Sequence, residues 1–246
     1  MSAGADRVEF WAIPTDQPVP VVRGLRRLLD RSELDRADAA REPGHAARFT
    51  VVHGVVRLLT AERLGIAPAD LRWRRGPHGK PEAVSPLVAD SGCRLSWSAS
   101  GALAVLALAE GRQVGVDVEE LRDERVATRL ARRYFPDLDA RFVTSSATPG
   151  ITSDRFTRLW CRREAVVKAY GGRLAQGLGL TLAGPTPLRL ADPGPLHDGP
   201  CLVQDVPVPG EFRAAVALDG DRPFQVLRRL WTAPADLLAP VILQNT

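Results

Sequence analysis

Asp117 and Glu119 stand two residues apart in Gly115-Val116-Asp117-Val118-Glu119, where valines at 114, 116 and 118 occupy the alternate positions. In a strand, residues i and i+2 share a face, so the two carboxylates project together while the valines turn to a core. Like charges at that spacing repel, and a hard divalent cation is the simplest way to hold them. Taken alone, the pair reads as readily as the polar face of an edge strand. Farther along, Trp160, Glu164 and Lys168 recur every fourth residue, the spacing of one helix stripe. A Glu–Lys pair so spaced is common on exposed helices, but a tryptophan on the same stripe argues against full exposure. Should the stripe meet the strand, three oxygen ligands would stand beside an ammonium. That is a Mg²⁺ site next to a proton donor, suited to cleaving a pyrophosphate.

These residues need a strand and a helix to carry them, and the surrounding pattern supplies both. Gln113–Glu119 reads as a strand, and Asp154–Tyr170 as a helix capped by Ser153 or Asp154 and stopped by Gly171-Gly172. Upstream, Val8–Ala12 predicts an opening strand ended by Pro14, and an arginine-rich helix follows over about Val21–Asp30. Phe49, Val52, Val56, Leu59 and Leu64 keep helical spacing over His45–Leu64, with Gly65 placed to stop it. Leu71–Trp73 leads into the Gly/Pro-dense loop Arg75–Pro81. Arg94–Ser98 and Ala102–Ala109 read as strands around Ser100-Gly101. A helix is expected around Val126–Tyr134, a loop over Thr144–Ser153, and antiparallel strands from Leu180 onward. No internal repeat or linker is visible, but a division near Glu110–Gln113 gives similar halves.

The chain has 246 residues, 45% hydrophobic and 25% charged, enough for one large domain or two halves with their own cores and far from a disordered composition. A net charge of +4 favours anionic partners. The arginines are dispersed among acids rather than gathered in a stripe with aromatics, which argues against a nucleic-acid binder. Cys93, Cys161 and Cys201 are widely spaced, outside any C-x-x-C pattern. They imply neither a disulfide framework nor a zinc site, and so a reducing compartment. The start of the chain has no secretion signal pattern, and the longest apolar run, Ala102–Ala109, is strand-sized. A cytoplasmic protein that does not enter the membrane is expected. The four histidines have no ligand spacing and read as surface or loop residues. One further count bears on chemistry: of 33 basic residues, Lys80 and Lys168 are the only lysines. Arginine matches lysine for charge but cannot give up its proton near neutral pH, so each lysine poses a question.

Gly115–Glu119 followed by Trp160-Cys161-Arg162-Arg163-Glu164-Ala165-Val166-Val167-Lys168 resembles the signature pair of the 4′-phosphopantetheinyl transferases, G-[IV]-D-[IV]-E and W-x-x-K-E-A-x-x-K. Gly79-Lys80-Pro81 and Ser98-Ala99-Ser100-Gly101 are similar to the family's G-K-P and S-H-S-G elements. All four come in family order across Gly79–Lys168, and the length fits the two-halved surfactin-synthetase-activator type. Each motif is weak alone; together they are specific.

The resemblance implies transfer of 4′-phosphopantetheine from coenzyme A, the co-substrate, to a serine of an acyl or peptidyl carrier protein, releasing adenosine 3′,5′-bisphosphate. It implies metal binding by Asp117, Glu119 and Glu164, with Mg²⁺ or Mn²⁺, and catalysis by Glu164 as base and Lys168 beside the bridging phosphate. Lys80 matches the lysine of the adenosine-phosphate pocket, and Arg48, Arg75 and Ser98 fall at phosphate contacts. The implied fold is α+β. It has two similar subdomains related by a pseudo-two-fold, each a small antiparallel sheet packed with helices, and the active site in the cleft between them. Residues 1–111 would grip the adenosine phosphates, and 112–246 would hold metal and pyrophosphate. A monomer acting in polyketide or nonribosomal peptide biosynthesis is expected. Two departures stand out: Ala99 replaces the motif histidine, and Arg163 replaces a lysine in a role that charge alone would fill. Ala99 motivates an alternative reading, a catalytically impaired coenzyme A-binding or carrier-docking protein. The more distant alternative is a basic nucleic-acid-binding protein.

Overall fold

A computed structural model describes residues 6–76, 79–84, 92–146 and 148–238. His78 of the glycine-rich loop lies outside them. The first half runs β1 (Asp6–Pro14), α1 (Val19–Arg26), α2 (Arg31–Asp38), α3 (Pro43–Leu64), β2 (Arg72–Arg75), β3 (Pro81–Val84), β4 (Cys93–Ser100) and β5 (Leu103–Glu110). The second runs β6 (Val114–Glu120), α4 (Glu124–Tyr134), α5 (Asp137–Thr144), α6 (Ile151–Ala169), α7 (Leu174–Gly177), β7 (Leu188–Leu190), β8 (Cys201–Val206), β9 (Phe212–Asp219) and β10 (Phe224–Leu230).

The repeat that is invisible in sequence is plain in topology. In the first half β5 inserts between β1 and β4, antiparallel to both. In the second, β9 inserts between β6 and β8 in the same way. Each half is thus a strand, a helical segment and a two-strand return whose last strand takes the middle place. Both middle strands are apolar on two faces, as a strand buried on both sides requires. From β5, Leu103, Val105, Ala107 and Ala109 enter a core shared with Val114, Val116, Val118 and Val216, while Ala104, Leu106 and Leu108 pack with Val51, Val55 and Leu59 of α3. From β9, Ala215 and Ala217 meet Leu159, Ala165 and Val166 of α6. The layers run helix, sheet, sheet, helix, an α+β fold.

Four features differ from the sequence reading. The arginine-rich helix, α1, ends at Arg26, and Asp30, its expected end, instead caps a further helix, α2, that was not expected. The Asp30 side chain accepts from the Glu33 N–H while the Glu33 side chain accepts from the Asp30 N–H, a reciprocal capping box. Helix α6 begins earlier than expected, with Gly150 in the left-handed region at its N-cap (φ 82°). The expected caps are engaged elsewhere: Asp154 with Arg158 and Arg213, and Ser153 with the Arg122 carbonyl. Part of the expected 144–153 loop is helical, since α5 runs to Thr144 and α6 starts at Ile151. Finally, β10 does not stay with its half. It pairs in parallel with β1, from Asp6↔Phe224 to Ala12↔Leu230, so the first sheet has order β10-β1-β5-β4 and is not wholly antiparallel. The pairing covers what would be an open edge of β1 and adds Phe224 to the shared core.

Candidate active site

The halves meet where β4 runs beside β6, and the seam is made by side chains. Ser96, Ser98 and Ser100 alternate along β4 and so share a face. Ser96 Oγ accepts from the Val116 N–H at 3.2 Å, and Ser100 Oγ accepts from the Glu120 N–H at 3.2 Å while donating to Glu119 Oε2 at 3.0 Å. Between them, Ser98 Oγ donates to Asp117 Oδ1 at 2.6 Å. Helix α6 lies on the same face of β6 at very short range. A Cβ on Gly115 would overlap the Ala165 carbonyl oxygen and the Ala169 amide nitrogen, so the glycine is what lets helix and strand touch. This contact brings the α6 stripe to the carboxylates. Lys168 Nζ lies 2.6 Å from Asp117 Oδ1 and donates to Ser98 Oγ at 2.8 Å.

The site is therefore Ser98, Asp117, Glu119, Glu164 and Lys168, from β4, β6 and α6. Its electrostatics follow from burying three acids around one ammonium. Burial pushes Glu119 and Glu164 above the usual carboxylate range, and Asp117 adds to both shifts. Burial works against the charge on Lys168, but Asp117 and Glu164 outweigh it and hold the ammonium more tightly than in free lysine. Asp117 Oδ2 is buried with no hydrogen-bond partner, although Oδ1 has two. Such an acceptor asks for a cation or donor. Among the described residues no three His, Cys, Asp or Glu side chains close into a metal shell. Even so, an orphaned carboxylate oxygen beside two further acids of raised pKa fits a hard cation that keeps water and substrate oxygens in its shell.

The remaining predicted residues line two cavities that adjoin this cluster. Arg75, Lys80 and Lys168 line one of about 430 Å³. Arg48 and Ser98 line another of about 580 Å³. Lys80 is not a free cation on the wall: its ammonium donates to Ala169 O at 2.6 Å, Val114 O at 3.1 Å and Gln113 Oε1 at 3.2 Å. Burial lowers its pKa to about 8. Ser98 likewise has its hydroxyl committed to Asp117 and Lys168.

Two arrangements were not foreseen. Arg163 is fully buried and ion-paired with Asp139. It also donates to Leu180 O at 2.8 Å and Leu159 O at 3.0 Å and lies over the Phe135 ring. Its role is geometric as well as electrostatic, which corrects the reading that charge alone suffices. On α3, His53 is not a surface residue; its ring stacks on Phe49 and its Nδ1 lies 3.2 Å from Glu33 Oε1. A glutamate at the third position of a capping box, twenty residues before a histidine on an apolar helix face, carried too weak a signal to find.

Carboxylates and an ammonium in a cleft between two βαββ halves describe an α+β enzyme that handles anionic groups. Comparison with known proteins makes the class specific. A sequence profile of the 4′-phosphopantetheinyl transferase superfamily matches residues 113–195, the stretch carrying β6, α6 and the three acids. The 4′-phosphopantetheinyl transferase HetI of Nostoc sp. is 32% identical over 219 residues, covering 88% of this chain and 89% of that protein. A phosphopantetheinyl transferase of Thraustochytrium sp. is 28% identical over 185 residues, 70% of this chain and 63% of that one. The chain belongs to the 4′-phosphopantetheinyl transferase superfamily and is an enzyme of that class.

Proposed function

We propose that this chain transfers the 4′-phosphopantetheine arm of coenzyme A to a serine hydroxyl of an acyl or peptidyl carrier protein. The observation that carries the reading is the meeting of Asp117, Glu119, Glu164 and Lys168 at the seam, with Asp117 Oδ2 left unpaired. In the reaction the serine oxygen bonds to the phosphorus bearing pantetheine. The bridging P–O bond breaks, and its electron pair leaves on adenosine 3′,5′-bisphosphate. Glu164 takes the serine proton, directly or through water. Its raised pKa makes it a stronger base than an exposed glutamate. Lys168, kept cationic by Asp117, stabilises the charge that grows on the leaving bisphosphate. Asp117, Glu119 and Glu164 would hold Mg²⁺, or Mn²⁺; a bound ion supplies neutralisation of the pyrophosphate charge.

Residues 1–111 contribute Arg48 and Arg75 toward the adenosine phosphates. Residues 112–246 contribute the acids, and Lys80 closes the two parts together. We take the protein to act as a monomer, and the buried Cys93, Cys161 and Cys201 suit the reducing cytoplasm. Among the described residues no helix is long and apolar enough to cross a membrane. Arg125, Arg129, Arg132 and Arg133 line an open face of α4, which complements an acidic carrier surface.

The test is mass spectrometry of apo-carrier proteins incubated with enzyme, coenzyme A and Mg²⁺. The expected result is a carrier heavier by one phosphopantetheine arm, and Glu164→Ala should slow this at least about a hundredfold. No gain on any carrier overturns the function, and a fully active Glu164→Ala overturns the role of the base.

A further inference from the structure

Lys80 stands in the wall of the cavity of about 430 Å³, but its ammonium is turned into the protein. Its three hydrogens meet three oxygens: Ala169 O at 2.6 Å, Val114 O at 3.1 Å and Gln113 Oε1 at 3.2 Å. Ala169 is the last residue of α6 and Val114 the first of β6. One side chain from the β2–β3 turn thus holds the ends of the two elements that carry Asp117, Glu119, Glu164 and Lys168.

The helix end needs such a partner. Gly171 turns the chain in the left-handed region (φ 63°), and the amides there fold back on the helix. Gly171 N–H donates to Lys168 O at 3.3 Å and Gly172 N–H to Val167 O at 2.9 Å, which serves those two carbonyls. The carbonyl of Ala169, a fully buried residue, is served by Lys80, and a buried carbonyl left without a donor is costly. Burial lowers the Lys80 pKa to about 8, so most of the amine is cationic at pH 7. The bond therefore joins a positive charge to the negative end of the helix dipole. The lysine is anchored in turn: its carbonyl accepts from the Gly76 N–H at 2.8 Å, and Trp73 of β2 packs on Trp97 of β4 with rings 5.4 Å apart.

The contact that Lys80 fastens is the one that sets the site. Next to Val114 on β6 is Gly115, against which the Ala165 carbonyl and the Ala169 amide lie. Two residues further on, Asp117 meets Lys168 at 2.6 Å. We propose that Lys80 is a positioning residue: it clamps the end of α6 to the start of β6 and so sets how Lys168 and Glu164 stand against Asp117. The proposal rests on the transferase reading above and places Lys80 outside the phosphate contacts. Three acceptors converging on one nitrogen also account for a lysine at this position, since a planar guanidinium spreads its donors apart.

Two variants of the full chain test the clamp. Lys80→Met keeps the stem and removes the charge and the donors. Lys80→Arg keeps the charge and would serve a phosphate as well as lysine does, but cannot gather its donors on one atom. Calorimetry measures coenzyme A affinity, single-turnover transfer at saturating coenzyme A measures the rate, and hydrogen exchange measures opening of the last turn of α6. Coenzyme A affinity should stay within about threefold of wild type, less than the loss of one charged contact would cost. The saturated rate should fall at least about tenfold, since small displacements of catalytic groups are costly. The Gly171 and Gly172 amides should exchange about tenfold faster, the effect of one charge-assisted hydrogen bond. Either variant decides the question should the other fail to fold. A loss confined to coenzyme affinity, an undiminished saturated rate or unchanged exchange in α6 overturns the proposal. A wild-type protein that transfers to no carrier overturns the transferase reading, and the clamp then stands or falls on the exchange alone.

Discussion

Arg163 shows how much depends on one residue's shape. Its guanidinium bonds Asp139 and two backbone carbonyls where neither side chain has any solvent exposure, and Asp139 in turn accepts from the Leu182 and Ala183 N–H groups at 2.9 Å. A lysine has the charge but not the planar fork. Arg163→Lys should therefore destabilise the protein by about 2 kcal/mol, since donors or acceptors are left unpaired in the core. For a chain of this size that is a melting-temperature fall of roughly 4–8 °C in a thermal scan. Glu33 makes a different prediction. Its carboxyl sits near 2 in the folded protein against 4.5 when unperturbed, so the unfolded chain binds the proton first as pH falls. The stability Glu33 supplies is complete above about pH 4.5 and drains away toward pH 2. Glu33→Gln should be less stable than wild type at pH 7, and the gap should narrow over that window in urea melts. The acids and Lys168 were legible in sequence because strand and helix spacing each put chemistry on one face. Glu33, His53 and Asp139 were not, because their partners lie on other elements and their types alone carry no period.

Helix α6 and strand β6 act as one unit. Gly115 is what allows the contact, because the Ala165 carbonyl and the Ala169 amide occupy the space of a side chain there. Gly115→Ala must push α6 away from β6, and α6 carries Glu164 and Lys168. We expect a stability loss of about 1–3 kcal/mol from overpacking. Turnover should fall by as much as about a hundredfold, since small displacements of catalytic groups are costly. Thermal scans and single-turnover transfer rates measure the two effects, and a variant that melts and transfers like wild type would dissociate this contact from the site. The long helices α3 and α6 and strands β1 and β4–β6 announce themselves by periodicity, because each buries one or two whole faces. The four-residue β3 and α7 and three-residue β7 are too short to show a period. Helix α5 was hidden by the small and polar residues that follow it.

At the scale of the molecule, the two halves share more than a cleft. A common apolar core lies between their sheets, the serines of β4 tie one to the other, and Arg112 links Asp6 at the start of β1 to the Arg222 carbonyl before β10. Lys80 adds a tie from the β2–β3 turn to the ends of β6 and α6. The doubled βαββ plan follows from the order of hydrophobic runs once both halves are laid side by side, yet no sequence similarity announces it. The parallel register of β10 on β1 depends on residues more than two hundred positions apart, beyond the reach of any local pattern. That pairing means the chain crosses its own midpoint twice. A polypeptide cut at the exposed Glu110-Gly111 turn would yield a front piece whose β1, still paired with β5, has its other edge uncovered and a back piece with a homeless β10, each prone to aggregate alone. Expressed together, the same two pieces should find one another through that strand and regain transfer. The protein would then behave as a split reporter whose halves recognise each other by design of the fold.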